Sequence, residues 1–158
     1  EQPGATVDEL AALRTQVAVP IAADESIRKA EDPLRVVRAR AADVAVLKVA
    51  PLGGVSRMLD IAAQIDIPIV VSSALDSAVG IARGLLAAAA LPSLHHACGL
   101  GTGGFFVEDV AEVPTPVDGY LPVGAVVPDP ARLSGLAATP QRRQWWIDRI
   151  RECYPYVI

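Results

Sequence analysis

Residues 44–51 read V-A-V-L-K-V-A-P, a short apolar run that Lys48 interrupts near its end. Two further runs are similarly short and apolar, residues 17–23 (V-A-V-P-I-A-A) and residues 67–71 (I-P-I-V-V). Each run is apolar on both faces, which is typical of a strand in a parallel sheet that helices cover on both sides. We therefore predict three strands here, and residues 95–100 are a weaker candidate for a fourth.

Helical sequence separates these runs. We predict helices at residues 7–15, 33–40, 54–65 and 76–91. The helix at 33–40 is expected to have Asp32 as its N-cap and Pro33 at its first position. Parallel strands need a crossover connection, usually a helix, so this alternation predicts repeated βα units and an α/β fold.

Two α/β architectures fit repeated βα units. A doubly wound sheet that binds a dinucleotide has a glycine-rich turn after its first strand, whereas this sequence has Asp24 and Glu25 there. A (β/α)₈ barrel carries its functional groups at the carboxyl ends of several strands, and Asp24, Lys48 and Ser72 occupy such positions. The barrel is therefore the favoured prediction, with residues 1–104 forming its second half.

The composition of the sequence changes after Gly104. Residues 113–130 are rich in proline, valine and glycine and predict an extended tail. A last amphipathic helix is predicted at 140–153, with Thr139 as its N-cap. We expect Trp145 and Trp146 to pack this helix on the body, so that residues 105–158 form a C-terminal tail and helix. Binding of another molecule through the two tryptophans is the alternative.

Composition excludes several classes of protein. The chain has 158 residues, of which 52% are hydrophobic and 20% charged, so it is not disordered. Its net charge of −4 gives no indication of a nucleic-acid surface. The longest apolar stretch, residues 84–92, is far shorter than the ~20 residues of a membrane span. Cys98 and Cys153 are expected to be reduced thiols, which fits the cytoplasm.

Charged residues at the predicted strand ends are the first candidates for chemistry. Glu1 and Asp24 lie one βα repeat apart, and two carboxylates at one barrel mouth favour a divalent cation such as Mg²⁺ between them. The alternative is a solvated terminal glutamate and an N-capping aspartate. Lys48 lies in an apolar strand, either held by carboxylates at a site or extending to solvent from the strand end.

Small polar residues and glycines follow the later strands. Ser72 and Ser73 could bind a substrate carboxylate or cap the next helix. The loop G-L-G-T-G-G at 99–104 lets backbone N–H groups approach an anion, although it is not a Walker A motif. His95 and His96 precede this loop, and we expect them within or under a strand, without a catalytic role.

Five motifs together resemble a known family. They are E-Q-P at 1–3, P-I-A-A-D-E-S at 20–26, V-L-K-V-A-P at 46–51, V-V-S-S-A-L-D-S-A-V-G at 70–80 and H-A-C-G-L-G-T at 96–102. Their order and spacing resemble the enolase superfamily in its muconate-cycloisomerase-like branch, and within it the actinobacterial o-succinylbenzoate synthase family of menaquinone biosynthesis. The resemblance extends from Glu1 to the helix with Trp145 and Trp146.

The resemblance implies a Mg²⁺-dependent elimination of water from a cyclohexadiene carboxylate. By that likeness Glu1 and Asp24 match two of three metal ligands, and Lys48 matches the lysine that faces a K-x-K lysine across the substrate. Glu25 is then a candidate partner of Lys48 behind the metal ligands. The residues that match the substrate-binding segments are Ser72, Ser73, Leu75, Gly99, Leu100 and Gly101.

The sequence also departs from that family. The K-x-K lysines, the first metal carboxylate and the N-terminal capping domain would all precede Glu1, and a barrel needs about 250 residues. We therefore expect this chain to be the C-terminal portion of the barrel, inactive alone, with the missing N-terminal half as its partner.

Three alternatives remain open at this point. The chain could belong to an N-succinylamino-acid racemase, which resembles these synthases and uses two lysines in the same way. It could be a non-catalytic α/β binding module whose polar strand ends only cap helices. The half-barrel could also dimerise, because open sheet edges favour association.

Overall fold

Parallel strands organise the fold in the computed structural model, which describes residues 2–156. Within these residues the sheet has three strands in the order β1-β2-β3, and both pairings are parallel. The strands are β1 Ala22–Ala23, β2 Val44–Lys48 and β3 Ile69–Ser72. A single parallel bridge from Ser72 to Gly99 continues the order beyond β3. The predicted α/β fold with neighbouring parallel strands is confirmed.

Helices supply the crossovers between the strands. The α-helices of the described chain are α1 Val7–Arg14, α2 Asp32–Arg38, α3 Val55–Ala62, α4 Ala78–Ala90, α5 Pro130–Gly135 and α6 Pro140–Cys153, and 3₁₀ turns span Thr102–Phe105 and Tyr154–Tyr156. A helix follows each strand, α2 after β1, α3 after β2 and α4 after β3. No helix within residues 2–156 is long and apolar enough to cross a bilayer.

The core lies between the sheet and these helices. Strand β2 is buried along almost its whole length, which explains why its sequence is apolar on both faces. Helix α4 is rich in small residues, and a Cβ added at Gly84 would lie 2.6 Å from a Leu100 methyl carbon. Leu100 can therefore pack closely on this helix because glycine at position 84 has no side chain.

Three local predictions need correction. The strand predicted at 17–23 contains only Ala22–Ala23, because residues 17–20 are exposed and Pro20 has no N–H to donate to a ladder. Of the candidate strand at 95–100, only Gly99 pairs with β3. Asp32 is not the N-cap of α2; its carboxylate accepts the N–H groups of Arg28 and Lys29 in the preceding turn.

The C-terminal segment differs most from its prediction. Helix α6 has the predicted bounds, and the Thr139 hydroxyl accepts the Arg142 N–H as its cap. However, α6 has no buried residue, and Trp145 and Trp146 are 49% and 50% exposed. The predicted packing of this helix on the body is therefore not observed. Instead, the two indole rings contact each other edge to face, and Arg142 lies over them.

Candidate active site

Polar side chains collect where the parallel strands end. Asp24 directly follows β1, Lys48 is the last residue of β2, and Ser72 is the last residue of β3. Lys48 is in register with Ser72, and Ser72 is bridged to Gly99. The carboxyl ends of parallel strands share one edge of the sheet, so the structure brings together the groups that the sequence predicted there.

Lys48 and Asp24 form an ion pair at this edge. The Lys48 Nζ donates to Asp24 Oδ1. Lys48 is only 8% exposed, whereas the Asp24 side chain is partly exposed. A buried ammonium group requires a partner, and Asp24 supplies it. The alternative in which Lys48 extends to solvent is therefore wrong.

Glu25, the other acidic candidate within the described residues, is placed differently. Glu25 is exposed, and it makes no hydrogen bond or ion pair with any of residues 2–156. The predicted partnership of Glu25 with Lys48 is thus corrected, because the neighbouring Asp24 occupies that role. Glu1 lies outside the described residues.

Asp24 has the chemistry of a ligand for a hard cation. Its Oδ1 accepts from Lys48, and its Oδ2 has no hydrogen-bond partner among residues 2–156. A partly exposed carboxylate oxygen is a suitable ligand for Mg²⁺. Within the same residues, however, no three His, Cys, Asp or Glu side chains lie together as a metal cluster. The described residues therefore fit the ion as a source of one ligand.

Ser72 and Ser73 tie β3 to the glycine-rich loop. The buried Ser73 hydroxyl donates to the Gly99 carbonyl at 2.9 Å and contacts the Thr102 hydroxyl at 2.8 Å. The Ser72 hydroxyl donates to the same carbonyl at 3.3 Å. Neither serine caps α4. The first N–H of that helix, from Ala78, instead donates to the Asp109 carboxylate at 2.8 Å.

The remaining predicted contact residues divide into exposed and buried. Leu75 is 61% exposed and has a positive φ of 62°, a conformation uncommon outside glycine. Gly101 is exposed with open space where a Cβ would lie. The Leu100 side chain is buried against α4, so only its main chain is available at the strand ends. His95 and His96 are exposed, not within or under a strand.

Gln2 was given no role on the sequence alone, yet it contacts the site. Its Oε1 accepts the backbone N–H groups of Asp24 at 3.2 Å and Ser26 at 2.9 Å. Its Nε2 donates to the Gly4 carbonyl at 2.6 Å. Gln2 lies inside one of the quoted motifs, but contacts between distant positions leave no local pattern.

Comparison with known proteins identifies close relatives. A family model described as enolase C-terminal domain-like matches residues 1–143. The o-succinylbenzoate synthase of Mycolicibacterium smegmatis is 78% identical over 157 residues, which cover 99% of this chain and 49% of that protein. The o-succinylbenzoate synthase of Mycobacterium tuberculosis is 73% identical over 158 residues, 100% of this chain and 48% of that protein. The chain thus spans about half the length of these relatives.

Solved structures show the same architecture. A muconate lactonizing enzyme from Pseudomonas fluorescens, complexed with muconolactone, superimposes with a TM-score of 0.76 at 28% identity, covering 82% of this chain and 38% of that one. An N-succinyl Arg/Lys racemase from Bacillus cereus has a TM-score of 0.75 at 18% identity, covering 84% and 38%. The second likeness is one of fold alone.

Proposed function

Since this chain belongs to the enolase C-terminal domain-like family, we propose that it forms part of an o-succinylbenzoate synthase. The buried Lys48 paired with Asp24 at the strand ends carries this proposal. Burying a charged pair costs desolvation free energy. Buried charged groups of this kind cluster at functional sites, which is consistent with a site for a charged substrate. Identity of 78% over nearly the whole chain supports the same activity.

The proposed reaction eliminates water from a cyclohexadiene carboxylate and yields aromatic o-succinylbenzoate. Removal of the proton next to the carboxylate leaves negative charge on the substrate. We propose that the Lys48 ammonium group stabilises that charge and faces the forming ring. By the family resemblance, the base is a lysine in the half of the relatives that this chain does not match.

We propose that the site uses Mg²⁺, with Asp24 and Glu1 as ligands from this chain. When bound, Mg²⁺ supplies positive charge for the substrate carboxylate. Asp24 supports this assignment because its Oδ2 has no hydrogen-bond partner among residues 2–156. The proposed substrate contacts are the Gly101 backbone, the Leu100 main chain, the exposed Leu75 and the Ser72 hydroxyl. Gly99 and the buried Ser73 would order this part of the site through their hydrogen bonds to each other.

The proposal includes a cellular role and a partner. The reaction belongs to menaquinone biosynthesis, and we place it in the cytoplasm, which the free thiols of Cys98 and Cys153 support. We propose that activity requires the half of the relatives that this chain does not match, since the described residues supply one metal ligand and no second lysine at the strand ends.

Turnover measurements test this function. We define the joined protein as this chain fused to the unmatched half of the M. smegmatis relative. With Mg²⁺, the joined protein is expected to dehydrate the cyclohexadiene carboxylate, and the chain alone is not. Faster racemisation of N-succinylamino acids would favour a racemase instead. Absence of both activities would favour a non-catalytic module, and robust dehydration by the chain alone would contradict the need for a partner.

A further inference from the structure

Gln2 connects two segments that are distant in sequence. It lies ahead of α1, whereas Asp24 and Ser26 lie in the turn after β1. One amide oxygen accepts both backbone N–H groups of that turn, and the amide nitrogen donates to the carbonyl of Gly4. A half-buried side chain that satisfies three backbone groups orders both segments at once.

The orientation of the Gln2 amide follows from these partners. If its oxygen and nitrogen were exchanged, the NH₂ group would face two N–H donors and the oxygen would face a carbonyl. The observed orientation is therefore the one that satisfies all three groups. The turn is further closed by the Ile27 N–H, which donates to the Asp24 carbonyl at 2.9 Å.

The backbone held by Gln2 belongs to the residue that pairs with Lys48. Asp24 reaches the Lys48 ammonium through Oδ1 while its backbone N–H is bound by Gln2. Movement of this turn would shift the carboxylate relative to the buried Lys48 at the end of β2. The order of contacts is thus Gln2 to the Asp24 backbone, and the Asp24 carboxylate to Lys48.

We propose that Gln2 is a positioning residue that orients the Asp24 carboxylate over Lys48 and toward a bound cation. The part that concerns the cation rests on the proposed function, whereas the part that concerns Lys48 does not. Partners that orient metal ligands affect affinity strongly, since their loss weakens metal binding by about 10- to 100-fold.

Amine labelling tests the contact with Lys48 directly. The chain's lysines are Lys29, which is exposed, and Lys48, which is buried, so Lys29 is an internal reference. In Gln2→Met, acylation of Lys48 relative to Lys29, followed by mass spectrometry, is expected to accelerate about tenfold, because the two hydrogen bonds that hold the Asp24 turn are lost. Gln2→Glu keeps the acceptor for the Asp24 and Ser26 N–H groups but turns an oxygen toward the Gly4 carbonyl, so its acceleration is expected to be smaller than that of Gln2→Met. The matched control is Gln64→Met, because the Gln64 side chain donates to the nearby Asp60 carbonyl and lies at an exposed position.

A second measurement separates this inference from the proposed function. In the joined protein, Gln2→Met is expected to weaken Mg²⁺ binding at least tenfold in calorimetry, and Gln64→Met is not. A Lys48 labelling ratio within twofold of wild type in Gln2→Met, or the same acceleration in Gln2→Glu, would overturn the role of Gln2. Equal Mg²⁺ affinity of wild type and Gln2→Met would overturn it as well. If wild type binds no Mg²⁺, the metal site of the proposed function fails, and the labelling ratio alone decides the role of Gln2.

Discussion

A side chain at Gly99 would displace the Ser72 hydroxyl from its present position. A Cβ added at Gly99 would lie 2.9 Å from the Ser72 hydroxyl oxygen, whereas one added at Gly101 would meet nothing within 4 Å. Gly99→Ala is therefore expected to lower the free energy of unfolding by about 1 kcal/mol, because the Ser72 hydroxyl must rotate and lose its hydrogen bond to the Gly99 carbonyl. Gly101→Ala is the matched control, with a change of about 0.5 kcal/mol or less. Urea unfolding measures both, and equal effects would contradict the close contact.

The role of a single residue was predictable where a charged side chain lies in a buried segment. Lys48 was predicted as a functional group because a lysine in a strand that is apolar on both faces needs a partner, and Asp24 is that partner in the structure. Gln2 was not predictable, because it is a neutral amide in a loop. Leu100 was matched to a substrate loop by resemblance, but its alternation within the loop directs the side chain into the core.

At the scale of elements, α4 begins with help from a distant carboxylate. Ser77 is the N-cap residue but makes no side-chain cap, and Asp109 accepts the Ala78 N–H instead. Asp109→Ala is expected to destabilise the protein by about 1 kcal/mol, as for the loss of an N-cap. Glu112→Ala is the control, since Glu112 is exposed. If chemical denaturation finds both variants equally stable, Asp109 does not cap α4.

Asp43 joins α1 to the start of two strands. Its carboxylate accepts from the Arg14 guanidinium at 2.8 Å and from the Ile21 N–H at 2.9 Å. The Arg14 hydrogen bond, followed by the Ile21 N–H, holds the pKa of Asp43 below its ordinary value. Because the folded-state pKa is the lower one, this contribution to stability is complete above the ordinary pKa of ~3.9 and is lost as pH falls through the folded-state value.

Acid titration of stability tests the role of Asp43. Between about pH 5 and pH 2, the wild type is expected to lose stability that Asp43→Asn has already lost at neutral pH. The difference is about 1 kcal/mol or less, since solvent screens side chains that are 37% and 30% exposed. Asp66→Asn, at an exposed position, is expected to keep the wild-type profile. Parallel profiles for wild type and Asp43→Asn would contradict this role.

Elements were predictable where periodicity and caps agree. Helix α6 begins at Pro140 after Thr139, as a capping threonine followed by proline predicts. Helix α5 was missed, although Asp129 caps it in the same way, because the surrounding prolines predicted an extended tail. The first strand was predicted too long, since β-branched residues before Pro20 suggested pairing that an exposed segment does not make.

At the scale of the whole molecule, apolar surface remains uncovered. Within residues 2–156, the outer edge of β1 has no partner strand, and α6 exposes both tryptophans. Such edges and patches favour association. In sedimentation velocity, the chain alone is expected to show species heavier than 16.5 kDa that increase with concentration. The joined protein is the control and is expected to associate less. A chain that stays monomeric at all concentrations would contradict this expectation.

The order of strands was predictable for the whole molecule, whereas the position of the tail was not. Each βα unit pairs with the next one, so local runs were sufficient to predict the sheet. The position of α6 depends on residues that are distant from it in sequence. An amphipathic pattern indicates that a helix has an apolar face, but it does not identify the surface on which that face packs.

Replacement of Lys48 in the joined protein tests whether the strand-end pair of Lys48 and Asp24 carries out the chemistry. We expect Lys48→Ala to lower Mg²⁺-dependent dehydration of the cyclohexadiene carboxylate by about 100-fold or more, the effect of losing a group that stabilises charge in the transition state. Lys29→Ala, at the chain's exposed lysine, is expected to retain full turnover. Unchanged turnover in Lys48→Ala would contradict the assignment of the strand-end pair as the centre of the chemistry.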